Sequence, residues 1–145
     1  MILIDANLLI YAYDASSPQH ERARAWLEDV LSTSRPVRFA WMTILAFLRI
    51  TTNHRAFATP LSTAEAVATV STWLAQPAAG TVEPGEHHWK LMSALLPASQ
   101  ARGPLVMDAH LAALAIEYGA VLYTTDRDFS RFRDLTTINP LEVES

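Results

Sequence analysis

The sequence predicts a single α/β domain on a mostly parallel sheet. Short apolar runs of strand length, such as Met1–Ile4 and Val121–Thr125, alternate with longer segments of helical periodicity. The 145 residues fit one domain, taken as 1–145, with no repeat, linker or low-complexity tract. Half the residues are hydrophobic, enough for a real core, and no cysteine is available for a disulfide.

Met1–Ile4 reads as a buried strand, and Asn7–Tyr13 as a second mostly apolar stretch. Ser17-Pro18 resembles an N-cap with proline at the first helical position. Ala23, Trp26, Leu27, Val30 and Leu31 then recur at helical spacing, with Arg22, Arg24, Glu28 and Asp29 toward water. Pro36 ends that helix, and Val37–Ala40 is a short strand. Trp41, Ile44, Leu45 and Leu48 form the next helical stripe. Ser62 and Glu65 make a capping box for a helix over about Thr63–Leu74, with Val67, Val70 and Leu74 inward. Gln76–Gly80 reads as a turn.

A further helix carries His88, Leu91, Met92, Leu95 and Leu96 on one face, and Ser99–Pro104 is a loop. Asp108–Tyr118 is the clearest helix, rich in alanine and leucine and followed by Gly119 where a C-terminal glycine cap belongs. Val121–Thr125 is a strand, and Leu135–Ile138 a last one. The four tryptophans all fall in helical stripes, which places them in the core or at a subunit contact rather than against bases.

Several function classes fall away. No apolar run reaches the roughly 18–20 residues of a membrane span. No basic leader precedes the first apolar run, so no signal peptide is expected and a cytoplasmic location is. The four glycines make no GxGxxG or phosphate loop. Lys plus Arg total 11 against 15 Asp plus Glu, a net charge of -4, which by itself speaks against a polyanionic partner.

The aspartates point elsewhere. Asp5 closes the first strand, Asp126 closes the late strand, and Asp108 opens the alanine-rich helix. Sites in parallel sheets form beyond the carboxyl ends of strands, so these three can share one crevice. Carboxylates gathered there repel unless they take protons or a cation, and hard oxygen ligands suit Mg²⁺ or Mn²⁺. Two of them also have a plain structural reading, Asp108 as an N-cap and Asp126, like Asp128, as a turn residue; Asp5, between two apolar runs, is the hardest to dismiss.

The segments ILIDANLLIYAYD, AFLRITTNHRAFATPLS, LVMDAHLAALAIEYGAVLYTTDRDFSRF and INPLEV resemble the PIN-domain ribonucleases, specifically toxins of the VapC type. The resemblance implies a three-layer α/β/α sandwich, Mg²⁺- or Mn²⁺-dependent RNA cleavage, a homodimer and a small cognate VapB-type antitoxin. It matches Asp5 and Asp108 to the principal metal ligands, Asp126 to the later acid, and Asn7 to a polar neighbour of the first acid. Arg49, from the matched AFLR segment, and Arg102 are candidates for RNA contact, set against a plain surface role. One departure stands out: where many relatives carry a glutamate before Phe-Leu-Arg, this chain has Ala46. That motivates an alternative, a non-catalytic RNA- or protein-binding module with a weakened metal site. A phosphotransfer receiver also places aspartates at strand ends, but the single lysine, Lys90, lies inside a helix. An antitoxin helix needs an apolar groove, for which the segments around Tyr11, Trp26, Phe47 and Leu48 are candidates.

With one bound divalent cation the formal charge becomes -2, so the acid excess is weak evidence against RNA. RNA binding without metal is expected to be poor and salt-sensitive.

Overall fold

A computed structural model describes residues 1–142; Val143–Ser145, including the end of the matched INPLEV segment, lie outside the described residues. The elements are β1 (Ile2–Ile4), α1 (Ala6–Tyr13), α2 (His20–Leu31), β2 (Val37–Ala40), α3 (Trp41–Thr51), α4 (Thr63–Leu74), β3 (Ala79–Val82), α5 (His88–Ser99), α6 (Leu105–Glu117), β4 (Val121–Tyr123) and β5 (Thr137–Ile138), with a 3₁₀ turn over Arg127–Arg131. The strands form one sheet in the order β3-β2-β1-β4-β5. Every pairing is parallel, so the sheet is wholly rather than mostly parallel.

Side chains alternate across a strand, and β1 uses both faces. Ile2 and Ile4 join a core with Leu8, Leu27, Phe47 and Val70 from α1, α2, α3 and α4. Leu3 joins a second core with Met92 from α5, Leu111 and Leu114 from α6, and Phe129 and Phe132 after β4. Helices thus cover both faces, the three-layer α/β/α sandwich that the family resemblance implies. A strand buried on both sides needs a continuous apolar run, which is why ILI is legible as β1.

The capping box is present, with Ser62 Oγ accepting from the Glu65 amide at 3.1 Å and Glu65 Oε1 accepting from the Ser62 amide at 3.0 Å. Ser62→Ala should cost about 1 kcal/mol of stability. Urea denaturation measures it, and an unchanged midpoint would contradict a stabilising cap. Gly119 takes the left-handed backbone, with φ +63°, just past α6.

Some readings need correction. Ser17-Pro18 does not open α2; the helix starts at His20, and the Ser17 hydroxyl accepts from the Gln19 amide at 3.2 Å in the preceding turn. In α3 the buried face is Thr43, Ile44, Phe47 and Thr51, while Trp41 and Leu45 point outward. In α4 the small Ala66 and Val70 go inward and Val67 is 55% exposed. Gln76–Gly80 is not simply a turn, because Ala79 and Gly80 already pair with Val37 and Arg38 as the start of β3. Among the tryptophans, Trp26 stacks on Tyr123 with ring centroids 5.4 Å apart, and Trp73 meets Phe47 at 4.8 Å. Trp41 and Trp89 are exposed.

Candidate active site

The sheet order fixes where a site can form. From β1 the chain moves outward to β2 and β3, then returns to the other side of β1 as β4 and β5. The reversal lies between β1 and β4, and the crevice beyond their carboxyl ends is the natural ligand position. Asp5 and Thr124 are the residues that follow those strands.

Asp5 continues the pairing, its amide donating to the Tyr123 carbonyl at 3.0 Å. Its carboxylate caps α1, with Oδ1 accepting from the Ala6 amide at 2.8 Å. The other oxygen, Oδ2, accepts from the Thr124 hydroxyl at 2.7 Å. Thr124, only 4% exposed, turns the same hydroxyl oxygen to the Asp126 amide, which donates to it at 3.0 Å. Asp126 Oδ1 in turn accepts from the Asp128 amide at 2.8 Å and starts the 3₁₀ turn. One hydrogen-bonded chain therefore sets three aspartates.

Asp108 arrives from the opposite layer, in the first turn of α6. It is the fourth helical residue; Pro104 occupies the N-cap, so the capping explanation of Asp108 does not hold. Carboxylate oxygens of Asp108, Asp126 and Asp128 lie within 4.8 Å of one another. Burial, with the charges of Asp126, Asp5 and Asp128, pushes the Asp108 carboxyl up to about 6 against the opposing Arg131 guanidinium. Burial also pushes Asp5 up, and the Asp126 charge adds to it, while the bonds from Thr124 and Ala6 hold it down. The group is all carboxylate oxygen, the donor set of a hard divalent cation.

The structure thus brings Asp108 and Asp126 together with Asp128, and sets Asp5 beside them with both oxygens hydrogen-bonded. Asp128 looked like a turn residue, and it is one; its backbone makes the turn and its side chain joins the group. The signal was the second acid in TTDRDF. Thr124 was missed because a threonine at a strand end carries no distinctive signature.

Asn7 is exposed on α1, two residues past Asp5, and Arg102 is exposed in the loop before α6. Arg49 is exposed on α3 and has no ion-pair partner among the described residues. It lines a groove of about 490 Å³ with Met42, Leu45, Ala46 and Met107. Met107 precedes Asp108 in α6, and no residue lining the groove supplies a carboxylate in place of the glutamate missing at Ala46. The groove expected around Tyr11, Trp26, Phe47 and Leu48 is instead core: Phe47 is fully buried, and Tyr11, Trp26 and Leu48 pack against the cluster it belongs to. His110 is committed to α5, its Nδ1 lying 2.9 Å from His88 Nε2.

Residues 2–135 match the model of the PIN domain. The chain is 40% identical over 141 residues to ribonuclease VapC33 of Mycobacterium tuberculosis, covering 97% of this chain and 99% of the relative. The chain is a PIN-domain protein of the VapC ribonuclease family. A second relative of this PIN domain, ribonuclease VapC37 of the same organism, is 39% identical, covering 97% of each chain. In fold it is similar to VapBC-1 from nontypeable Haemophilus influenzae, with a TM-score of 0.67 at 20% identity over 98% of this chain and all of that one. It is likewise similar to Mycobacterium tuberculosis VapC20, a sarcin-ricin loop cleaving toxin, with a TM-score of 0.65 at 17% identity over 94% of this chain and 99% of that one. Among the described residues, no helix is long and apolar enough to cross a membrane.

Proposed function

We propose that this PIN domain is a Mg²⁺- or Mn²⁺-dependent endoribonuclease and the toxin half of a type II toxin–antitoxin pair, with Asp5, Asp108, Asp126 and Asp128 as its metal-holding group. The observation that carries the site assignment is the convergence of acids from β1, α6 and the turn after β4, where burial first and then the neighbouring charges raise the Asp108 carboxyl to about 6. A structural protein gains nothing from such crowding, whereas a hard cation relieves it. Bound there, the ion supplies Lewis acidity toward water and toward a phosphodiester.

The residues divide the work. Asp108, Asp126 and Asp128 present the facing oxygens. Asp5 is held rigid by its two hydrogen bonds and fixes the negative potential behind them. Asn7 offers a side-chain amide beside Asp5, and Arg49 and Arg102 offer planar forks for phosphates. Hydrolysis leaves a 3′-hydroxyl and a 5′-phosphate. The partners are RNA, a cognate VapB-type antitoxin and a second copy of the chain. This reading is supported by the ribonuclease names of its relatives and by the toxin–antitoxin complexes that share its fold.

The apolar corner at Ala46 favours a second reading, a non-catalytic module with a weakened metal site. Mapping of cleaved RNA ends separates the two. Wild type with Mg²⁺ should cut RNA, EDTA should stop it, and Asp126→Asn should lower the rate about a hundredfold or more. Cleavage that persists in EDTA would sink the metal assignment, and no cleavage by wild type would leave the binding module.

A further inference from the structure

On the β5 side of Asp126 lies an open cavity of about 310 Å³, walled by Thr125, Arg127, Ser130, Thr137, Asn139 and Glu142, with Asp126 shared between it and the carboxylates. It sits beyond the carboxyl ends of two paired strands, since Leu122 of β4 pairs with Thr137 of β5. Ligand pockets begin at about 300 Å³, so one nucleoside fits and a duplex does not.

Apart from Thr124 and Asp126, which also line it and are bonded to each other, its polar side chains are not holding one another. Among the described residues the side chains of Thr125, Arg127, Ser130 and Thr137 have no hydrogen-bond partner. Asn139 uses Oδ1 to accept from the Leu141 amide at 2.9 Å, which leaves its two N–H donors toward the cavity open. Thr124, at the edge of the same lining, is the contrast, with its hydroxyl engaged on both sides. Free hydroxyls, a free amide, one guanidinium and two carboxylates, Asp126 on the metal side and Glu142 on the far side, make a surface for a ligand with both donors and acceptors.

The Glu142 carboxylate, the one not turned to the acid group, narrows the ligand. An ionised Glu142 only accepts, and of the four RNA bases guanine alone presents two adjacent N–H donors, at N1 and N2, to both of its oxygens. Guanine O6 then faces the donors of Asn139 or Arg127. We infer that this cavity seats an unpaired guanosine of the RNA beside the scissile phosphodiester, with Glu142 on the base edge and Arg127 on the adjoining phosphate. The inference rests on the ribonuclease reading and adds a specificity-determining pocket to it.

Amide NMR of the metal-free protein in EDTA, titrated with GMP, AMP, CMP, UMP and inorganic phosphate, tests the pocket apart from cleavage. GMP should move Thr125, Ser130, Thr137 and Asn139 at the lowest concentration, and Glu142→Gln should abolish that preference. Equal response to the four nucleotides, or to phosphate alone, would overturn the inference. In end mapping, the guanine bias beside the cut should fall about tenfold in Glu142→Gln and Asn139→Leu. Unchanged bias in both variants overturns the pocket and leaves the ribonuclease reading standing. A wild type that binds GMP here but cuts no RNA with Mg²⁺ does the reverse.

Discussion

Asp108→Asn should abolish metal-dependent cleavage and, at the same time, make the metal-free protein more stable. The carboxyl titrates at about 6 in the folded chain, above the value near 3.9 of an unfolded aspartate. The folded state therefore binds this proton more tightly than the unfolded state. Ionising Asp108 opposes folding in full above pH 6, less as pH falls from 6 toward 3.9, and not at all below. Asp5, also raised, acts in the same direction. Asp108 is partly exposed and solvent screens its neighbours, so the cost at pH 7.5 is of the order of 1 kcal/mol, or about 3 °C of melting temperature. Asparagine removes the charge at nearly the same volume, so in EDTA at pH 7.5 the variant should melt higher than wild type, and the gap should close toward pH 4.5. Adding Mg²⁺ should reverse the order, because a cation that binds only the folded wild type stabilises it by mass action. Metal affinity in wild type should weaken below about pH 6, where proton and cation compete for the same oxygens. Thermal melts at two pH values, with and without Mg²⁺, read all of this. An Asp108→Asn protein less stable than wild type in EDTA would contradict the repulsion, and one that still cuts RNA would contradict the metal role.

How far the molecule was legible in its sequence follows from where its information is stored. β1 and α6 were readable because two-sided burial demands unbroken apolar runs, and ILI and LAALAI supply them; β2 was readable although Arg38 interrupts VRFA, because Val37, Phe39 and Ala40 are still apolar and buried. β3 was not, because an edge strand with one buried residue tolerates Ala79 and Gly80, which carry no strand signal. The inward faces of α3 and α4 were misjudged for a related reason. Hydrophobicity ranked Leu45 and Val67 above Thr43 and Ala66, but close packing on the sheet selects small side chains where helix and neighbour approach. Leu45 and Val67 are left exposed on the surface as a result. The candidate site divides similarly. Acids at strand ends announce themselves, since a charge after an apolar run needs a reason. Asp128 and Thr124 did not, since each doubles as ordinary turn or strand-end chemistry. Only the three-dimensional path joins Asp5, Thr124, Asp126 and Asp128 into one chain of hydrogen bonds.

That chain makes Thr124 the most informative residue that carries no charge. Thr124→Val keeps the shape and deletes the hydroxyl. Asp5 Oδ2 loses the donor that holds its carboxyl down, and the partly buried Asp126 amide loses its acceptor. A lost acceptor at a partly buried amide and a lost bond to a carboxylate together cost about 1–2 kcal/mol of stability. Residues that orient metal ligands without touching the metal typically contribute 10–100-fold in affinity, so Mg²⁺ binding should weaken by about that factor. Asp5, relieved of its donor, should ionise at higher pH, which moves the pH midpoint of metal binding upward in Thr124→Val. Thr124→Ser retains the hydroxyl and should recover both metal affinity and the wild-type midpoint, while giving up the packing of one buried methyl. This pattern separates positioning from mere support. If Thr124 only stabilised the fold, serine and valine would differ in melting temperature alone. Metal affinity and its pH midpoint would then match wild type whenever the protein is folded. Isothermal titration with Mn²⁺ across pH 5 to pH 8 on the three proteins decides between them. Valine that binds Mn²⁺ as wild type does would remove Thr124 from the site and leave Asp5 with its capping role on α1.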